Sequence, residues 1–293
     1  MILIDANQIM ISNLFAMYGK KLDDLTIDKV RYAVLKGIMY YNHRFKDEYG
    51  QVVLCYDTGN YWRTNQFPYY KSNRKKKQDK DSIDWNKIYG LFSIVKEEID
   101  ENFPFVSIEV PKLEADDIIA VLCQTNYGKE KIIIISSDKD FQQLQRHENV
   151  EQYSPAHKEM LECKDPEEHL IEHIIRGDPS DGIPNALSDG DTFVISGKKQ
   201  KIMSAKRFNK LLDLVKSGKI YDSKYSENFC RNEQLIDLEC IPRDYQNTIH
   251  RSFRKAVNFN DSVGSSKMMD YLISNKLNGL LEELDKFQQK LNI

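Results

Sequence analysis

Short apolar runs that lead into acidic residues are the feature that most constrains the fold of this chain. Met1–Ile4 leads into Asp5, Val52–Tyr56 into Asp57, and Ile132–Ile135 into the segment SSDKD. Continuous runs of this length are typical of strands that are buried on both faces of a sheet. Further runs at 105–110 and 150–153 complete the predicted strands.

Amphipathic stretches lie between these runs. Apolar residues recur at helical spacing over 27–46, 84–101 and 114–125, and Asp84 is a candidate N-cap. The alternation of strands and helices predicts parallel βαβ units, and therefore an α/β fold with a mostly parallel central sheet flanked by helices. In such sheets, ligands bind beyond the carboxyl ends of the strands.

The second half of the chain has a different character. Few strand signals follow residue 165, and helical patterns recur at 165–176, 204–216 and 267–291. We therefore predict an α/β domain over 1–163 and a smaller, mostly helical domain over 164–293.

Composition excludes several classes of protein. With 41% hydrophobic and 30% charged residues and a net charge of −3, the chain is too apolar for a disordered protein and too polar for a membrane protein. The five cysteines are widely spaced and form no CxxC pair, so neither a disulfide framework nor a zinc cluster is indicated. The N-terminus has no basic region and no signal cleavage site, and we predict a cytoplasmic location.

The acids at the predicted strand ends indicate a metal site. Asp5, Asp57, Asp138 and Asp140 all follow strands, and the carboxyl ends of parallel strands meet at one edge of a sheet. Carboxylates gathered in this way repel each other unless cations neutralise them. Mg²⁺ and Mn²⁺ are the ions that a site of oxygen ligands prefers.

Two further motifs contribute acids. The segment LEADD places Glu114, Asp116 and Asp117 at the start of a helix, where three acids exceed the need for capping. Since helix positions two apart point about 200° apart, Glu114 is expected at or before the N-cap if it shares a site with Asp116. The segment GDPSDGIPN contributes Asp178 and Asp181, although by itself it is an ordinary turn.

Two basic segments indicate nucleic-acid binding. Residues 58–84 lack apolar periodicity, and between 61 and 80 there are seven Lys and Arg against one acid, interleaved with Tyr, Trp and Phe. Basic groups contact phosphates, and aromatic faces stack on unpaired bases. A second segment, 196–216, also has seven Lys and Arg against one acid. A solvated lysine-rich loop is the alternative interpretation of the first segment.

Two other patterns are interpreted as structural. His169 and His173 lie four residues apart on a predicted helix, but no third soft ligand lies near them in sequence. We interpret both as ordinary helix residues. The apolar positions of 267–291 are interpreted as core.

The acidic motifs, taken in order, carry a family resemblance. LIDAN, CYDTG, LEADD, ISSDKDF and GDPSDGIPN together resemble the flap-endonuclease / 5′-nuclease superfamily. Within it, the chain is similar over nearly its whole length to the ribonuclease H enzymes of T-even-type bacteriophages, through FPYYKSNRKK, ISSDKDFQQL and KMMDYLISNKLNGLLEELDKF. The resemblance implies a 5′→3′ nuclease that acts on RNA–DNA hybrids, duplex DNA and 5′ flaps and removes RNA primers from lagging-strand fragments. It also implies a PIN-like fold and a helix–three-turn–helix element in the second domain.

The resemblance implies two Mg²⁺ ions, with Mn²⁺ able to substitute, that activate the attacking water and stabilise the leaving oxygen. The residues matching the first metal position are Asp5, Asp57, Glu114, Asp116 and Asp138. Those matching the second are Asp140, Asp178 and Asp181, with Asp117 and Asp138 close by.

The basic segment 61–80 matches the helical arch of the family, which bridges the active site. On that match Arg63, Lys71 and Arg74 contact the scissile phosphate or its neighbours, and Tyr70 stacks near the 5′ end. Lys71 is the strongest candidate for stabilising transition-state charge. The remaining residues expected to bind nucleic acid are Lys75, Lys76, Lys198, Lys199, Lys201, Lys206 and Arg207.

One departure from the family pattern and three alternatives stay open at this point. The chain reads ALSDGDTFVISG where relatives carry a Gly-rich turn with a potassium ion, so that site is in doubt. A monomer that contacts a single-stranded DNA-binding protein and a sliding clamp is expected from the resemblance. The alternatives are a catalytically inactive DNA-binding protein, a PIN-type ribonuclease, and a haloacid-type phosphatase, which Asn7 disfavours because that position would be Asp.

Overall fold

A computed structural model describes residues 1–19, 22, 24–72, 83–126, 129–260 and 265–289. The strands are β1 Ile2–Asp5, β2 Val52–Tyr56, β3 Val106–Glu109, β4 Ile132–Ile135, β5 Val150–Ser154 and β6 Glu159–Leu161. The helices of the first half are α1 Ala6–Tyr18, α2 Ile27–Tyr49, α3 Arg63–Gln66, α4 Trp85–Asn102 and α5 Ala115–Thr125. Those of the second half are α6 Pro166–Arg176, α7 Ala205–Lys216, α8 Ser226–Ile236, α9 Arg243–Asn260, α10 Ser265–Ser274 and α11 Asn278–Leu281. None of these helices is long and apolar enough to cross a bilayer.

The strands form one sheet in the order β3-β2-β1-β4-β5-β6. The first five strands are parallel, and β6 runs antiparallel to β5. The predicted mostly parallel sheet is therefore confirmed. Strand β1 pairs with both β2 and β4, with Ile4 opposite Leu54 on one side and Ile135 on the other. The strand order therefore reverses at β1, with β2 and β3 on one side and β4, β5 and β6 on the other. A reversal of this kind creates a binding crevice at the carboxyl ends of the strands.

The alternation of side chains along the strands divides the core into two layers. Ile133 and Ile135 of β4 face the layer of α1, α2 and α4, whereas Ile132 and Ile134 face the layer of α5 and α9. All four isoleucines are completely buried. The run IIII is apolar throughout because both faces of β4 are covered.

A third hydrophobic core lies outside the sheet. Helices α6, α7 and α8 contribute Ile174, Leu211 and Phe229 to it, and Phe67 and Tyr70 join it from the segment after β2. The chain then returns to the sheet, because Ile249 of α9 packs on one face and Phe287 on the other. The boundary after residue 163 stays a prediction. The core packing supports a different division of the chain, which we propose: the described residues of 238–289 pack on the two faces of the sheet and belong to the α/β domain.

The C-terminal segment differs from the predicted continuous helix over 267–291. Helix α10 ends at Ser274, and Lys276 has φ 54°, in the left-handed region that cannot continue a helix. The buried amide of Asn42 in α2 donates hydrogen bonds to the carbonyls of Lys286 and Gln288 and attaches this segment to the sheet layer. Sequence analysis also did not identify α1, α8, α9 and β6.

Removal of a C-terminal core side chain tests this packing. Phe287 is completely buried, and its ring centroid lies 5.5 Å from that of Phe103. We expect Phe287→Ala to reduce the free energy of unfolding by about 3–5 kcal/mol, since such a truncation loses burial and leaves a cavity. Urea unfolding followed by the fluorescence of Trp62 and Trp85 measures the loss in the sheet region. Phe259→Ala is the control, because Phe259 is 58% exposed; an unchanged transition for Phe287→Ala would contradict the packing.

Candidate active site

Asp5 and Asp57 lie at the carboxyl ends of neighbouring strands and are each oriented by a backbone amide. Asp5 caps α1 by accepting a hydrogen bond from the Gln8 N–H (3.2 Å), and its other oxygen accepts one from the Ser136 hydroxyl (3.1 Å). Asp57 accepts a hydrogen bond from the Ala115 N–H (2.8 Å) at the start of α5. Burial, reinforced by the charge of Asp57, raises the pKa of Asp5 to about 7.

The acids after β4 join this group. Ser136 donates to Asp5 and accepts the N–H of Asp138 (3.1 Å), so the ends of β1 and β4 are directly linked. Asp138 in turn caps a 3₁₀ turn over Lys139–Arg146 by accepting the Asp140 N–H (3.0 Å). Burial and the charges of Asp138 and Asp5 raise the pKa of Asp116 well above its usual value. Asp5, Asp57, Asp116 and Asp138 therefore interact electrostatically at the edge of the sheet where the sequence predicts a metal site.

Glu114 and Asp117 surround a buried arginine. Glu114 is the N-cap of α5, as predicted, and Asp117 completes a capping box by accepting the Glu114 N–H (3.1 Å). The guanidinium of Arg63, 2% exposed, lies 2.9 Å from Glu114 and 2.8 Å from Asp117. Burial by itself would raise the pKa of Glu114, but Lys71 and Arg63 outweigh burial and lower it. Asp117 also accepts the indole N–H of Trp62 (3.1 Å), so both of its oxygens are engaged.

Lys71 and Tyr70 connect Glu114 to the turn that contains Asp181. The Tyr70 hydroxyl donates to Glu114 (2.9 Å) and lies 3.2 Å from Asp181. The ammonium of Lys71 pairs with Glu114 and lies 3.5 Å from Asp181. The backbone of Lys71 has φ 54°, a conformation that residues with a Cβ rarely adopt and that often marks a functional position.

The burial of Arg63 and Tyr70 affects the contacts with substrate that the family resemblance implies for them. Arg63 and Tyr70 are 2% and 6% exposed, and a guanidinium enclosed by two carboxylates has no free surface for a phosphate. We therefore propose that Arg63 and Tyr70 position Glu114 and Lys71, in place of the predicted direct contacts. Arg74, Lys75 and Lys76 lie outside the described residues.

A second acidic group forms around His173. Its Nε2 lies 3.3 Å from Asp178 and its Nδ1 lies 3.5 Å from Asp140. Burial opposes ionisation of Asp178, but His173, Ser180 and Lys139 outweigh burial and lower its pKa. Burial and the charge of Asp138 raise the pKa of Asp140 to about 7. Within the described ranges, Asp140, His173 and Asp178 are the one group of three potential metal ligands whose atoms all lie within 4.8 Å of one another.

Sequence analysis did not place His173 in the acidic group. The interpretation as an ordinary helix residue considered only neighbours in sequence, whereas Asp140 comes from the turn after β4. The signal in the sequence was the segment HIIRGD, which places a histidine on the last helical turn before Asp178.

Gly177 fixes the position of Asp178 relative to α6. It ends α6 with φ 70°, and a Cβ at this position would lie 2.5 Å from the carbonyl oxygens of Ile183 and Pro184. Asn232 of α8 secures the same turn by donating hydrogen bonds to the carbonyls of Ile174 (2.8 Å) and Pro184 (2.9 Å). The turn is therefore a rigid part of the third core.

The second predicted basic segment lines two adjacent grooves. Lys201 and Arg207 line a groove of about 1060 Å³, together with Lys224 and Arg231, which sequence analysis did not identify. Lys201 also lines a groove of about 680 Å³ that extends to His173. Among the other predicted residues, Lys199 and Lys206 are exposed, and Lys198 pairs with Asp189 (3.0 Å) and Asp191. Lys and Arg outnumber Asp and Glu in both grooves, and the smaller groove reaches the acidic group at His173.

Comparison with known proteins finds similarity to phage nucleases in both sequence and structure. Residues 1–173 match the family described as 5′-3′ exonuclease, N-terminal resolvase-like domain. The ribonuclease H of Enterobacteria phage T4 is 28% identical over 97% of this chain and 95% of its own length. The exodeoxyribonuclease of Enterobacteria phage T3 is 29% identical over 56% of this chain and 52% of its own. A bacteriophage T5 flap endonuclease solved with DNA and metal ions has a TM-score of 0.61 and 18% identity, over 89% of this chain and 99% of its own.

Removal of the buried guanidinium tests the cluster around Arg63. We expect Arg63→Met to lower the free energy of unfolding by about 3–5 kcal/mol, because it leaves Asp117 buried without its counter-ion and Glu114 with Lys71 alone. Urea unfolding followed by circular dichroism gives the value. Arg207→Met makes the same change at an exposed arginine and should cost less than about 0.5 kcal/mol. Equal losses in the two variants would show that the buried pairing contributes nothing specific.

Proposed function

Because the chain belongs to the 5′-3′ exonuclease family, we propose that it is a Mg²⁺-dependent 5′→3′ nuclease that hydrolyses phosphodiesters of RNA–DNA hybrids, duplex DNA and 5′ flaps. The observation that carries this proposal is the convergence of Asp5, Asp57 and Asp138 at the carboxyl ends of β1, β2 and β4. Side chains that are fixed by backbone amides at this edge form a preorganised cation site.

The carboxylate oxygens suit divalent ions at two positions. We propose that Asp5, Asp57, Asp116 and Asp138 bind the first ion and that Asp140 and Asp178 bind the second. When bound, two such ions supply positive charge to the attacking and the leaving oxygen of a phosphodiester. The remaining predicted ligands have other partners here: Glu114 and Asp181 contact Lys71, and Asp117 contacts Arg63.

Lys71 is the proposed source of transition-state charge from the protein itself. Its ammonium lies beside Glu114 and Asp181, and the ring centroids of Tyr61 and Tyr70 each lie 5.1 Å from it. Glu114 and Asp181 therefore position Lys71, and the aromatic rings restrict its movement. A fixed ammonium stabilises the charge that develops on a phosphoryl oxygen more than a mobile one does, because it needs no reorganisation during the reaction.

The basic grooves are the proposed path of the nucleic acid. Lys201 and Arg207 contact the duplex backbone in this proposal, and Lys224 and Arg231 extend that contact. The names of the relatives support the substrate: one is a ribonuclease H, and one is a flap endonuclease in complex with DNA. We propose that the chain removes RNA primers at lagging-strand fragments in the cytoplasm of a phage host. Contacts with a single-stranded DNA-binding protein and a sliding clamp remain part of this proposal.

Substitution of a central carboxylate tests the nuclease proposal. We expect Asp138→Asn to abolish cleavage while binding stays unchanged or tightens, since it removes both a metal ligand and a negative charge. The assay uses a 5′-labelled flapped duplex and a 5′-labelled RNA–DNA hybrid, with Mg²⁺ or with EDTA. Asp213→Asn makes the same change on the exposed side of α7 and should cleave like wild type. Binding by the wild type without cleavage under any divalent ion would favour the inactive DNA-binding alternative.

Substitution of Lys71 separates chemistry from binding. We expect Lys71→Ala to lower kcat by about 10²–10³-fold, as loss of a preorganised charge does, with a much smaller change in the Kd for flapped duplex. Multiple-turnover cleavage at saturating substrate gives kcat, and fluorescence anisotropy gives the Kd. Lys112→Ala is the matched control, because Lys112 is an exposed lysine with a left-handed backbone (φ 68°). A weaker Kd with unchanged kcat would assign Lys71 to binding instead.

A further inference from the structure

Among the described residues, His173 is the histidine whose two ring nitrogens face carboxylates of the acidic edge, at 3.3 and 3.5 Å. We propose that His173 coordinates the second metal ion together with Asp140 and Asp178, and that this position consequently prefers Mn²⁺ to Mg²⁺. The inference rests on the proposed function, because it assigns a ligand to the second of the two proposed metal positions.

The three side chains come from three separate elements. Asp140 lies on the 3₁₀ turn after β4, His173 on the last turn of α6, and Asp178 on the turn that follows Gly177. One ligand atom from each lies within 4.8 Å of the others. Ligand atoms of one cation lie at such separations, since each is about 2 Å from the ion.

The distance between His173 and Asp140 is longer than that of a tight ion pair. The 3.5 Å separation between His173 Nδ1 and Asp140 Oδ1 exceeds the range of N–H···O hydrogen bonds. That Asp140 oxygen is buried and accepts no hydrogen bond from any described residue. Asp178 differs, because its Oδ1 accepts two hydrogen bonds from Ser180, at 2.8 and 2.5 Å. Its Oδ2 faces His173 at 3.3 Å and the Lys139 ammonium at 3.5 Å, a cation that a bound metal ion would replace. An oriented carboxylate beside an unsatisfied one is the arrangement expected around a cation.

The group is accessible from solvent. His173 lines the groove of about 680 Å³, together with Lys139, Arg176 and Pro179. An ion can therefore enter without unfolding, and a phosphate that enters the same groove meets Lys139 and Arg176. Asp178 and Asp140 lie 3.3 and 3.5 Å from His173, so negative charge lies next to the groove where His173 lines it.

The identity of the donor atoms determines the metal preference. Imidazole nitrogen binds first-row transition ions more strongly than it binds Mg²⁺, which prefers oxygen ligands and its own hydration shell. When one ring nitrogen coordinates, the other still faces a carboxylate, as in other metal sites where a carboxylate fixes the orientation of a histidine. The four carboxylates of the first position supply oxygen alone. The two positions therefore differ in chemistry.

Pulsed electron paramagnetic resonance of the Mn²⁺-loaded full chain tests the assignment directly. In wild type with two equivalents of Mn²⁺ we expect modulation from a coordinated nitrogen, which changes to the ¹⁵N pattern when the histidines are ¹⁵N-labelled. His173→Gln should lose this signal and weaken the second Mn²⁺ by at least about tenfold in calorimetry. Mg²⁺ affinity should change less. His169→Gln is the matched control, because its ring lies one helical turn away, with the centroids 6.4 Å apart, and it should retain both signal and affinity.

Three results would overturn the assignment. They are the absence of nitrogen modulation in wild type with both ions bound, its persistence in His173→Gln, and failure of a second Mn²⁺ to bind. The labelled wild type decides the question even if His173→Gln is unstable, which thermal unfolding would reveal. Cleavage by wild type and its loss in Asp138→Asn decide the nuclease proposal separately. Intact cleavage without nitrogen coordination would therefore contradict the assignment of His173 as a ligand and leave the nuclease proposal standing.

Discussion

The buried guanidinium of Arg63 is the interaction on which the arrangement of the site depends. It pairs with Glu114 and Asp117 at the start of α5, and its Nε donates a hydrogen bond to the Leu235 carbonyl (2.9 Å) at the end of α8. One side chain thus connects the segment after β2, the sheet layer and the helical core. Such burial is tolerated only when the charge and its hydrogen bonds are satisfied, and here carboxylates and a carbonyl satisfy them. Lys71 and Arg63 together lower the pKa of Glu114 despite its burial.

The carboxylates show the opposing effects of position and burial. The parallel strands gather Asp5, Asp57 and Asp138 at one edge, and burial with mutual repulsion raises the pKa of Asp5 and of the neighbouring Asp116 and Asp140. Backbone amides and the Ser136 hydroxyl nevertheless fix several of these groups. Burial of these like charges therefore lowers the stability of the fold, and a bound cation would offset that loss. This is the pattern expected of a site built for chemistry instead of stability.

Prediction from sequence was accurate where the signal is local. The strands that precede Asp5, Asp57 and Asp138 are where the apolar runs placed them, and Glu114 is the N-cap that helix geometry required. Prediction was incomplete where a residue acts through distant partners. The burial of Arg63, the partners of His173 and the return of Phe287 to the sheet core all join segments far apart in the chain. No periodicity or spacing reports such contacts.

The sequence by itself determined the α/β class, the acidic motifs at the strand ends and the family, because strand burial and helix capping act over a few residues. Only the tertiary structure decided which acids face one another and which basic residues are buried. It placed Asp117 against Arg63, Asp181 against Lys71, and His173 between Asp140 and Asp178. The physical reason is that charge pairing depends on distance in space, and the strand order β3-β2-β1-β4-β5-β6 sets those distances.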